Sequence, residues 1–374
     1  MRNTKIAIIG GGVSGLYAAW LLQQHGVADW VLIEGRDTLG GRILSVPASA
    51  EAASANTTPA STTDRFDLGP SWFWPGYQRQ LDHLIQELGL DRFEQHEMGD
   101  MVVERAPHEP PMRMRGYVNS PPSVRLVGGM ASLTEALQHR LDATRILTGE
   151  TVRHLRIGDD QVELDIANRA DPTTTWQAEH VLLALPPRMA LHHIDFSPAL
   201  PPSLTQQWQT TDTWMAPHAK YVAVYEAPFW HEQGLSGEGR SARGPLVEIH
   251  DASMPGGSAA LFGFIGVPAR VRQTVPEATL RSHCRAQLAR MFGPQAATPK
   301  AEFIKDWAQE PYTATEADWD GSGQHPVPPS AGADSGPWRG RLTAIGSEWS
   351  PQFPGYIAGA IEAASIGVAS LIKR

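Results

Sequence analysis

Residues 5–15 read KIAIIGGGVSG, a mostly apolar run that leads into a cluster of glycines. A continuous apolar run of this kind is typical of a buried parallel strand. Gly10, Gly12 and Gly15 then fit the spacing G-x-G-x-x-G, which allows a tight turn, close approach of the backbone to phosphate, and close packing of helix on strand. The stretch therefore predicts a strand and a helix joined by a loop that can hold a dinucleotide pyrophosphate.

The following residues complete a strand–helix–strand unit. The segment that opens with Val13 and Ser14 has the apolar content of a packed helix, and residues 30–33 form a second apolar strand that ends at Glu34. Glu34 lies 19 residues beyond Gly15, where a carboxylate can accept hydrogen bonds from ribose hydroxyls and would repel a 2′-phosphate. The carboxylate of Glu34 therefore disfavours NADP at this site. The alternative interpretation of the glycine loop alone is a glycine-rich turn in an unrelated sheet.

A second pair of glycines, Gly40-Gly41, is followed directly by Arg42. The glycines permit close approach of the backbone, and the guanidinium of Arg42 could pair with a pyrophosphate through charge-assisted hydrogen bonds. A fold that binds only NAD has no particular need of this element. The alternative is an ordinary loop with a solvated arginine.

The other end of the chain offers a second half of such a site. Residues 342–345 form an apolar strand that leads to Gly346 and Glu348, and Gly355-Tyr356 open an apolar helix. A helix N-terminus here would stabilise negative charge on a flavin ring. The two ends together favour a flavin enzyme over a generic nucleotide binder.

Composition limits the class of protein. The chain has 374 residues, 41% hydrophobic, with a net charge of -9 and no run of Lys or Arg, so we expect one large or two interleaved domains and no nucleic-acid partner. The lone Cys284 excludes a disulfide framework and a cysteine-based zinc site, and we predict no metal. A first strand at about residue 5 leaves no room for a signal peptide, and no stretch is apolar enough to span a membrane. We therefore expect a soluble, cytoplasmic protein.

Hydrophobic periodicity predicts an α/β fold with an inserted, more antiparallel part. The predicted helices are residues 80–90, 133–141 and 279–292, and the predicted strands are residues 152–157, 161–166, 181–185, 220–225, 260–265 and 342–345. Loops are expected where Pro, Gly, Ser or Ala dominate, at residues 47–64, 106–123 and 321–337.

These features together resemble the flavin-containing amine oxidase family, which includes monoamine, polyamine and L-amino-acid oxidases. The resemblance covers most of the chain in patches, at residues 10–15, 34, 40–42, 66–72, 128–130, 184–187, 220–230, 307–312 and 346–364. It implies a Rossmann-like FAD-binding domain with an inserted mixed-sheet substrate domain. The implied FAD-binding segments are residues 1–75, 124–185 and 338–374, and the implied substrate segments are residues 76–123 and 186–337.

The resemblance also implies a set of residues that bind FAD. Val152 would contribute only its backbone, near adenine, and Glu348 would lie beside the ribityl-phosphate part. The whole implied set is Gly10, Gly12, Val13, Ser14, Gly15, Glu34, Gly41, Arg42, Gly69, Pro70, Ser71, Val152, Gly346, Glu348, Gly355 and Tyr356.

Four residues are implied near the reacting atoms. Lys220 matches the family's lysine that holds a water at flavin N5, and Tyr356 matches one wall of its aromatic cage. The second wall aligns near Ala317, where the nearest aromatic is Trp319, and Trp72 is expected near the flavin ring. The alternatives are a solvated lysine at a strand end and aromatic rings that merely pack in a core.

Strand alternation supports an inward-facing lysine. It places Lys220, Val222 and Val224 on one face of their strand. Burial of the ammonium would lower its pKa, because desolvation disfavours the cation.

The chain departs from the family in three ways. Residues 311–319 lack the cysteine that attaches flavin in some relatives, so we expect noncovalent FAD. Only about 40 residues separate Leu90 from Gly128, where relatives place part of the substrate domain. We therefore expect an open active site, or one closed by residues 106–123 or by a partner chain, as in a homodimer. No arginine is assignable to a substrate carboxylate, which favours an amine over an amino acid.

The resemblance implies oxidation of a small-molecule amine to an imine, with hydride transfer to the flavin and reoxidation by O2 to give H2O2. Three alternatives stay open at this point. They are a related flavin enzyme acting on C–C bonds, such as a desaturase or a protoporphyrinogen-oxidase-like protein, an NAD-dependent dehydrogenase, and a non-enzymatic flavoprotein.

Overall fold

A computed structural model describes residues 2–48, 63–167, 174–321 and 325–372. The chain forms two compact units, each assembled from segments that are distant in sequence. Unit 1 contains Met1–Arg42, Leu133–Ala216 and Glu310–Arg374, and unit 2 contains Ile43–Ser132 and Pro217–Gln309.

Nineteen strands and nine α-helices are found among the described residues. The strands are β1 (Arg2–Ile9), β2 (Trp30–Glu34), β3 (Ser45–Pro47), β4 (Arg65–Asp67), β5 (Arg92–Glu94), β6 (Asp100–Glu104), β7 (Met112–Arg115), β8 (Val124–Leu126), β9 (Ile146–Thr148), β10 (Thr151–Ile157), β11 (Val162–Ala167), β12 (Thr174–Leu183), β13 (Asp195–Ser197), β14 (Ala219–Tyr225), β15 (Leu235–Ser241), β16 (Leu246–Asp251), β17 (Ala259–Ile265), β18 (Ala301–Asp306) and β19 (Leu342–Ala344). The helices are α1 (Val13–Gln24), α2 (Arg79–Glu87), α3 (Ala131–Gln138), α4 (Pro187–His193), α5 (Pro202–Thr210), α6 (Phe229–Glu232), α7 (Ala269–Arg272), α8 (Glu277–Phe292) and α9 (Ile357–Ile372).

Unit 1 is built on an eight-stranded mixed sheet. Its order is β13-β10-β11-β12-β1-β2-β9, and β19 also pairs with β12. The strands β12, β1, β2 and β9 run parallel, as does β19 beside β12. The strands β10 and β11, which the sequence predicted at residues 152–157 and 161–166, form an antiparallel hairpin. The carboxyl end of β1 therefore lies between two parallel neighbours, where an α/β sheet presents its ligand-binding crevice.

The core of unit 1 is apolar on both faces of this sheet. Residues of β1 and β2 are buried throughout their central parts, and Trp208 and Trp338 are almost fully enclosed. Full burial of each aliphatic side chain of β1 and β2 stabilises the fold by roughly 1.5–3 kcal/mol. The buried central strands therefore form a rigid support for the loops at their ends.

Unit 2 is built on a seven-stranded, largely antiparallel sheet of order β18-β14-β17-β16-β15-β6-β7, in which only the β15–β6 pair is parallel. Alternation along β14 sends Tyr221 and Ala223 into the core beneath α8. Val222 and Val224 enter a second cluster on the opposite face, with Phe66 and Phe262. The predicted split of β14 into two faces is confirmed.

The α/β class, with a Rossmann-like part and a mixed-sheet part, is confirmed. The prediction of an irregular segment at residues 106–123 is wrong in one place, because Met112–Arg115 form the edge strand β7. These residues alternate Met and Arg and pair with β6, so a neighbouring strand overrides the proline-rich local signal. Most of the loop predicted at residues 47–64 lies outside the described residues.

The bounds of the two units differ from those implied by the family resemblance. Residues 65–67 pair with β3 and send Phe66 into a cluster with β14, so they pack in unit 2. Residues 202–210 send Leu204 and Trp208 into the core of unit 1. Which unit binds which ligand stays a prediction. None of the helices among the described residues combines the length and the hydropathy needed to cross a bilayer.

Candidate functional site

The glycine loop of unit 1 joins β1 to α1. The amide of Gly10 donates to Ile33 O at 2.8 Å, which ties the loop to β2. The loop ends at Gly12, which is the N-cap residue of α1 and provides no side-chain hydrogen bond. A Cβ on Gly15 would lie 2.0 Å from Gly10 O, so the helix can approach the strand only with glycine at this position. The first turn of α1 thus presents backbone N–H groups without a side-chain cap.

A second loop faces the first. The amide of Gly40 donates to Gly11 O at 2.9 Å, and a Cβ on Gly41 would lie 3.0 Å from Gly12 Cα. A Cβ on Gly12 would meet nothing nearer than Gly41 Cα at 3.8 Å. The two glycine backbones form a cradle at a helix N-terminus, which suits an anionic group such as a pyrophosphate.

Glu34 is buried at the end of β2 and bonded on both oxygens. Its Oε2 accepts from the amide of Gly11 at 2.6 Å, and its Oε1 accepts from the amide of Arg36 at 2.8 Å. Each carboxylate oxygen can accept a further hydrogen bond. The side chain therefore fixes the loop and keeps acceptor capacity for ribose hydroxyls.

Arg42 and Glu348 form an ion pair in unit 1. Arg42 Nη1 donates to Glu348 Oε1 at 2.6 Å, and Nη2 donates to Glu348 Oε2 at 3.3 Å and to Ser347 Oγ at 3.2 Å. These bonds use three of the five guanidinium N–H donors. The sequence predicted both residues as FAD contacts, and the structure makes them partners of each other.

The C-terminal segment is attached to the glycine loop. Ser14 Oγ donates to Ile345 O. Gly346 precedes a single 3₁₀ turn at Ser347–Trp349, and a Cβ on Gly346 would lie 2.8 Å from Leu185 O. Two implied FAD-binding regions thus meet in unit 1.

The start of the last helix differs from the prediction. The amide of Gly355 donates to Ser347 O and that of Tyr356 donates to Phe353 O, both at 3.1 Å. The helix α9 begins at Ile357. Gly355 and Tyr356 form the turn before it, because these bonds engage their amides, and the amides without intrahelical partners begin at Ile357.

Two implied residues of unit 1 lie apart from these loops in the chain. Val152 is buried in β10 and pairs with Ile166 across the hairpin. Trp319 follows a 3₁₀ turn at Glu316–Asp318 and is half-buried. Their roles toward a ligand stay predictions.

Tyr356 packs in an aromatic cluster that the sequence did not predict. Its ring centroid lies 4.9 Å from that of Trp214 and 4.6 Å from that of His325. Neither Trp214 nor His325 belongs to a periodic pattern, so no local signal linked them to Tyr356. The ring of Tyr356 therefore contacts two aromatic side chains of unit 1.

Unit 2 contains the implied lysine. Lys220 is 3% exposed, and its Nζ donates to Asp67 O at 3.1 Å, to Gly69 O at 2.7 Å and to Ser71 Oγ at 2.9 Å. Pro70 lies between the last two acceptors. The structure therefore brings together Lys220 and the loop 69–71, all of which the resemblance singled out.

The pKa values of Lys220 and of the neighbouring Asp67 are both shifted from their usual values. Burial lowers the pKa of Lys220 to about 7, with Asp67 opposing the shift and Arg125 adding to it. Burial raises the pKa of Asp67, although Ser45 and Lys220 oppose that change. Within the described part of the chain, Asp67 Oδ2 has no hydrogen-bond partner. A lysine with this pKa exchanges between ammonium and neutral amine near neutral pH.

Trp72 is half-buried in unit 2. Its Nε1 donates to Gln95 Oε1 at 2.8 Å, and its ring centroid lies 4.9 Å from that of His250 and 5.3 Å from that of Phe262. These contacts fix its orientation. They do not distinguish core packing from a ligand contact.

Cys284 is enclosed in the core of unit 2. It is 0% exposed on α8, and burial raises the pKa of its thiol to about 12. A neutral, enclosed thiol is a poor nucleophile.

Comparison with known proteins gives a consistent result. The model of the family described as flavin containing amine oxidoreductase matches residues 113–371, and that of the NAD(P)-binding Rossmann-like domain matches residues 8–88. The first match alone covers well over half of the chain.

Two curated relatives and one solved structure illustrate the similarity. The chain is 26% identical over 249 residues to a probable flavin-containing monoamine oxidase A of Dictyostelium discoideum, covering 64% of this chain and 51% of the relative. It is 30% identical over 219 residues to a putrescine oxidase of Kocuria rosea, covering 54% and 44%. The structure of a wild-type putrescine oxidase bound to putrescine superposes with a TM-score of 0.78 at 20% identity, over 100% of this chain and 99% of the other.

The chain spans about half the length of these two curated relatives. The structural similarity, at 20% identity, concerns the fold alone.

Proposed function

Because this chain belongs to the flavin-containing amine oxidoreductase family, we propose that it is an FAD-dependent amine oxidase. The proposed reaction converts a small-molecule amine to an imine, with O2 as the final acceptor and H2O2 as a product. The observation that carries the proposal is the cradle of Gly12 and Gly41 at the uncapped start of α1. Such a cradle suits the pyrophosphate of a dinucleotide.

The residues of unit 1 fit FAD by their donors and acceptors. The amides of α1 would hold the pyrophosphate, and Glu34 has acceptor capacity for ribose hydroxyls. Arg42 keeps two N–H donors beyond those that bind Glu348 and Ser347. We propose noncovalent binding, because the one cysteine of the sequence, Cys284, is enclosed and neutral.

Bound FAD would supply a two-electron acceptor for the C–H bond beside the amine nitrogen. The chain's own contribution would be to orient the substrate and to control protons. Tyr356 would orient the neutral amine, since its ring is fixed by Trp214 and His325. Trp72 and Trp319 remain candidates for further aromatic contacts.

We propose that Lys220 controls a proton or a water molecule during the reaction. As an ammonium it has three donors, which match Asp67 O, Gly69 O and Ser71 Oγ. As a neutral amine it has two donors and one lone pair, which can accept a hydrogen bond from water. A pKa of about 7 makes both forms available near neutral pH.

The first experiment is the visible absorption spectrum of the purified protein, before and after denaturation. Two flavin bands, with the chromophore released by denaturation, are expected for noncovalent FAD. A colourless protein that does not take up added FAD would remove the proposal.

The second experiment mixes the holoprotein anaerobically, in separate samples, with putrescine, benzylamine, an L-amino acid, a polyene and a porphyrinogen. Bleaching of the flavin by an amine is the expected result. Bleaching by a polyene or a porphyrinogen and by no amine would favour the alternative that acts on C–C bonds. A flavin that no donor reduces would favour a non-enzymatic flavoprotein.

A homodimer is part of the proposal, because the short segment between Leu90 and Gly128 leaves less of the chain to cover a substrate site. Light scattering coupled to size-exclusion chromatography of the holoprotein distinguishes a mass near 40.7 kDa from twice that value.

A further inference from the structure

Three rings from separate segments of unit 1 meet at Tyr356. Trp214 follows α5, His325 lies in the loop before β19, and Tyr356 precedes α9. The centroids of Trp214 and His325 are 3.8 Å apart, and His325 stacks on Tyr356 at 4.6 Å with an interplanar angle of 20°. Each ring therefore contacts the other two.

The backbone at Gly355 packs closely against this cluster. Gly355 has φ of +84°, and a Cβ there would lie 3.2 Å from Trp214 Cβ. A side chain at this position would be strained by the backbone conformation and crowded by Trp214. The indole of Trp214 thus fixes the main chain immediately before Tyr356.

His325 fixes the other end of the tyrosine. Its Nδ1 lies 3.1 Å from Pro354 O, and its Nε2 lies 2.9 Å from Tyr356 Oη. A carbonyl oxygen can only accept, so Nδ1 carries the hydrogen, and the Nε2 of a neutral ring accepts from the tyrosine hydroxyl. This assignment orients the phenol hydrogen toward His325.

We propose that His325 is a positioning residue for the amine substrate, acting through the ring and hydroxyl of Tyr356. The proposal rests on the proposed function, in which Tyr356 orients the amine. The stack restrains the plane of the tyrosine ring, and the chain of hydrogen bonds from Tyr356 through His325 to Pro354 O restrains its rotation. An imidazole suits this role because one nitrogen accepts while the other donates and the ring stacks on Tyr356.

A matched set of variants tests this role. H325A removes the ring and both hydrogen bonds, H325F keeps a ring but neither bond, and H325Q keeps an acceptor within reach. The control is V327A in the same loop, where the side chain is 85% exposed.

Steady-state kinetics with the amine that best bleaches the flavin should separate these variants. H325A and H325F should lower kcat/KM by about tenfold, the equivalent of one hydrogen bond, chiefly through KM. H325Q should recover part of the loss, and V327A should match the unaltered protein. FAD content should stay the same in all four.

Unchanged kinetics in H325A would overturn the proposal. So would a higher kcat/KM in H325A, since His325 would then cover the substrate position. Equal loss of FAD and activity would also contradict it, because the histidine would then be needed only for the fold.

A second readout does not depend on activity. In ¹⁵N-histidine spectra of the holoprotein, one ring should show a protonated Nδ1 and an unprotonated Nε2. That signal should vanish in H325Q, and its Nε2 resonance should shift in Y356F. Absence of this signal would overturn the proposal. If the signal is present but no amine reduces the flavin, the proposed function fails, and the positioning role fails with it.

Discussion

Arg42 and Glu348 are 306 positions apart in the chain, yet they form a two-point ion pair within unit 1. The carboxylate is 0% exposed, whereas the guanidinium is 28% exposed. The anion therefore depends on its partner much more than the cation does.

This asymmetry predicts unequal effects of removing each charge. R42M leaves a buried carboxylate without its cation and should lower the free energy of unfolding by about 3 kcal/mol. E348Q keeps an acceptor for Arg42, whose charge is partly in water, and should cost about 1 kcal/mol. Urea unfolding of both variants without FAD measures the difference. Equal losses of unfolding free energy in R42M and E348Q would contradict the greater dependence of Glu348 on its partner.

The glycine cradle allows folding and cofactor binding to be tested separately. A Cβ on Gly12 has space in the protein alone, since its nearest contact is at 3.8 Å. G12A should therefore unfold at the same temperature as the unaltered protein without FAD. It should bind FAD at least tenfold more weakly, because the added methyl group occupies space that the pyrophosphate needs.

Two further glycines serve as comparisons for G12A. A Cβ on Gly15 would lie 2.0 Å from Gly10 O, so G15A should lower the stability of the protein without FAD by about 1–3 kcal/mol. A Cβ on Gly76 would meet nothing within 4 Å, so G76A should change neither property. Titration with FAD and thermal unfolding measure both. Unaltered FAD affinity in G12A would contradict the assignment of the cradle.

The lowered pKa of Lys220 predicts a specific dependence of stability on pH. The group titrates near pH 7 in the folded protein and near 10.5 when unfolded. Between these values the unfolded chain binds the extra proton, so the stability contributed by Lys220 rises with pH and is lost as pH falls toward 7. The slope approaches about 1.4 kcal/mol per pH unit for one proton.

The measurement compares the unaltered protein with K220M by urea unfolding at several pH values from 7 to 10, at one fixed FAD concentration. The difference in unfolding free energy should increase with pH over this window. A flat difference would mean that Lys220 titrates with an ordinary pKa.

K220M also tests the proposed part of Lys220 in the reaction. The variant should keep FAD bound but slow flavin reduction or reoxidation on the order of 10²-fold, because a positioned proton donor or acceptor is lost. K300M is the control, since Lys300 is 42% exposed and pairs with Glu226. Rapid-mixing kinetics follow each half-reaction. Unchanged rates in both would refute the role.

The elements that depend on local sequence were predictable. The strand before Gly10 was predictable from its continuous apolar run. The common face of Lys220, Val222 and Val224 was predictable because successive side chains of a strand point to opposite faces. The edge strand Met112–Arg115 was not predicted, because only its pairing with Asp100–Glu104 makes it regular.

The candidate site was predictable in its residue types and less so in its contacts. Gly12, Gly41 and Glu34 belong to recognisable motifs. His325 and Trp214 lie in segments without a motif, so their contact with Tyr356 was not predicted. The amides of Gly355 and Tyr356 looked available from sequence, but the turn they form engages both.

The sequence by itself determined the strand–loop–helix that can hold a dinucleotide and the family to which the chain belongs. Glycine spacing and the hydrophobic pattern of a strand are local features, which can be recognised within a few neighbouring residues. Only the tertiary structure decided that Arg42 meets Glu348, that Lys220 has three chain acceptors, and that His325 holds Tyr356. Such pairings depend on which distant segments the packed sheets bring within hydrogen-bond distance, and burial then sets their charge and strength.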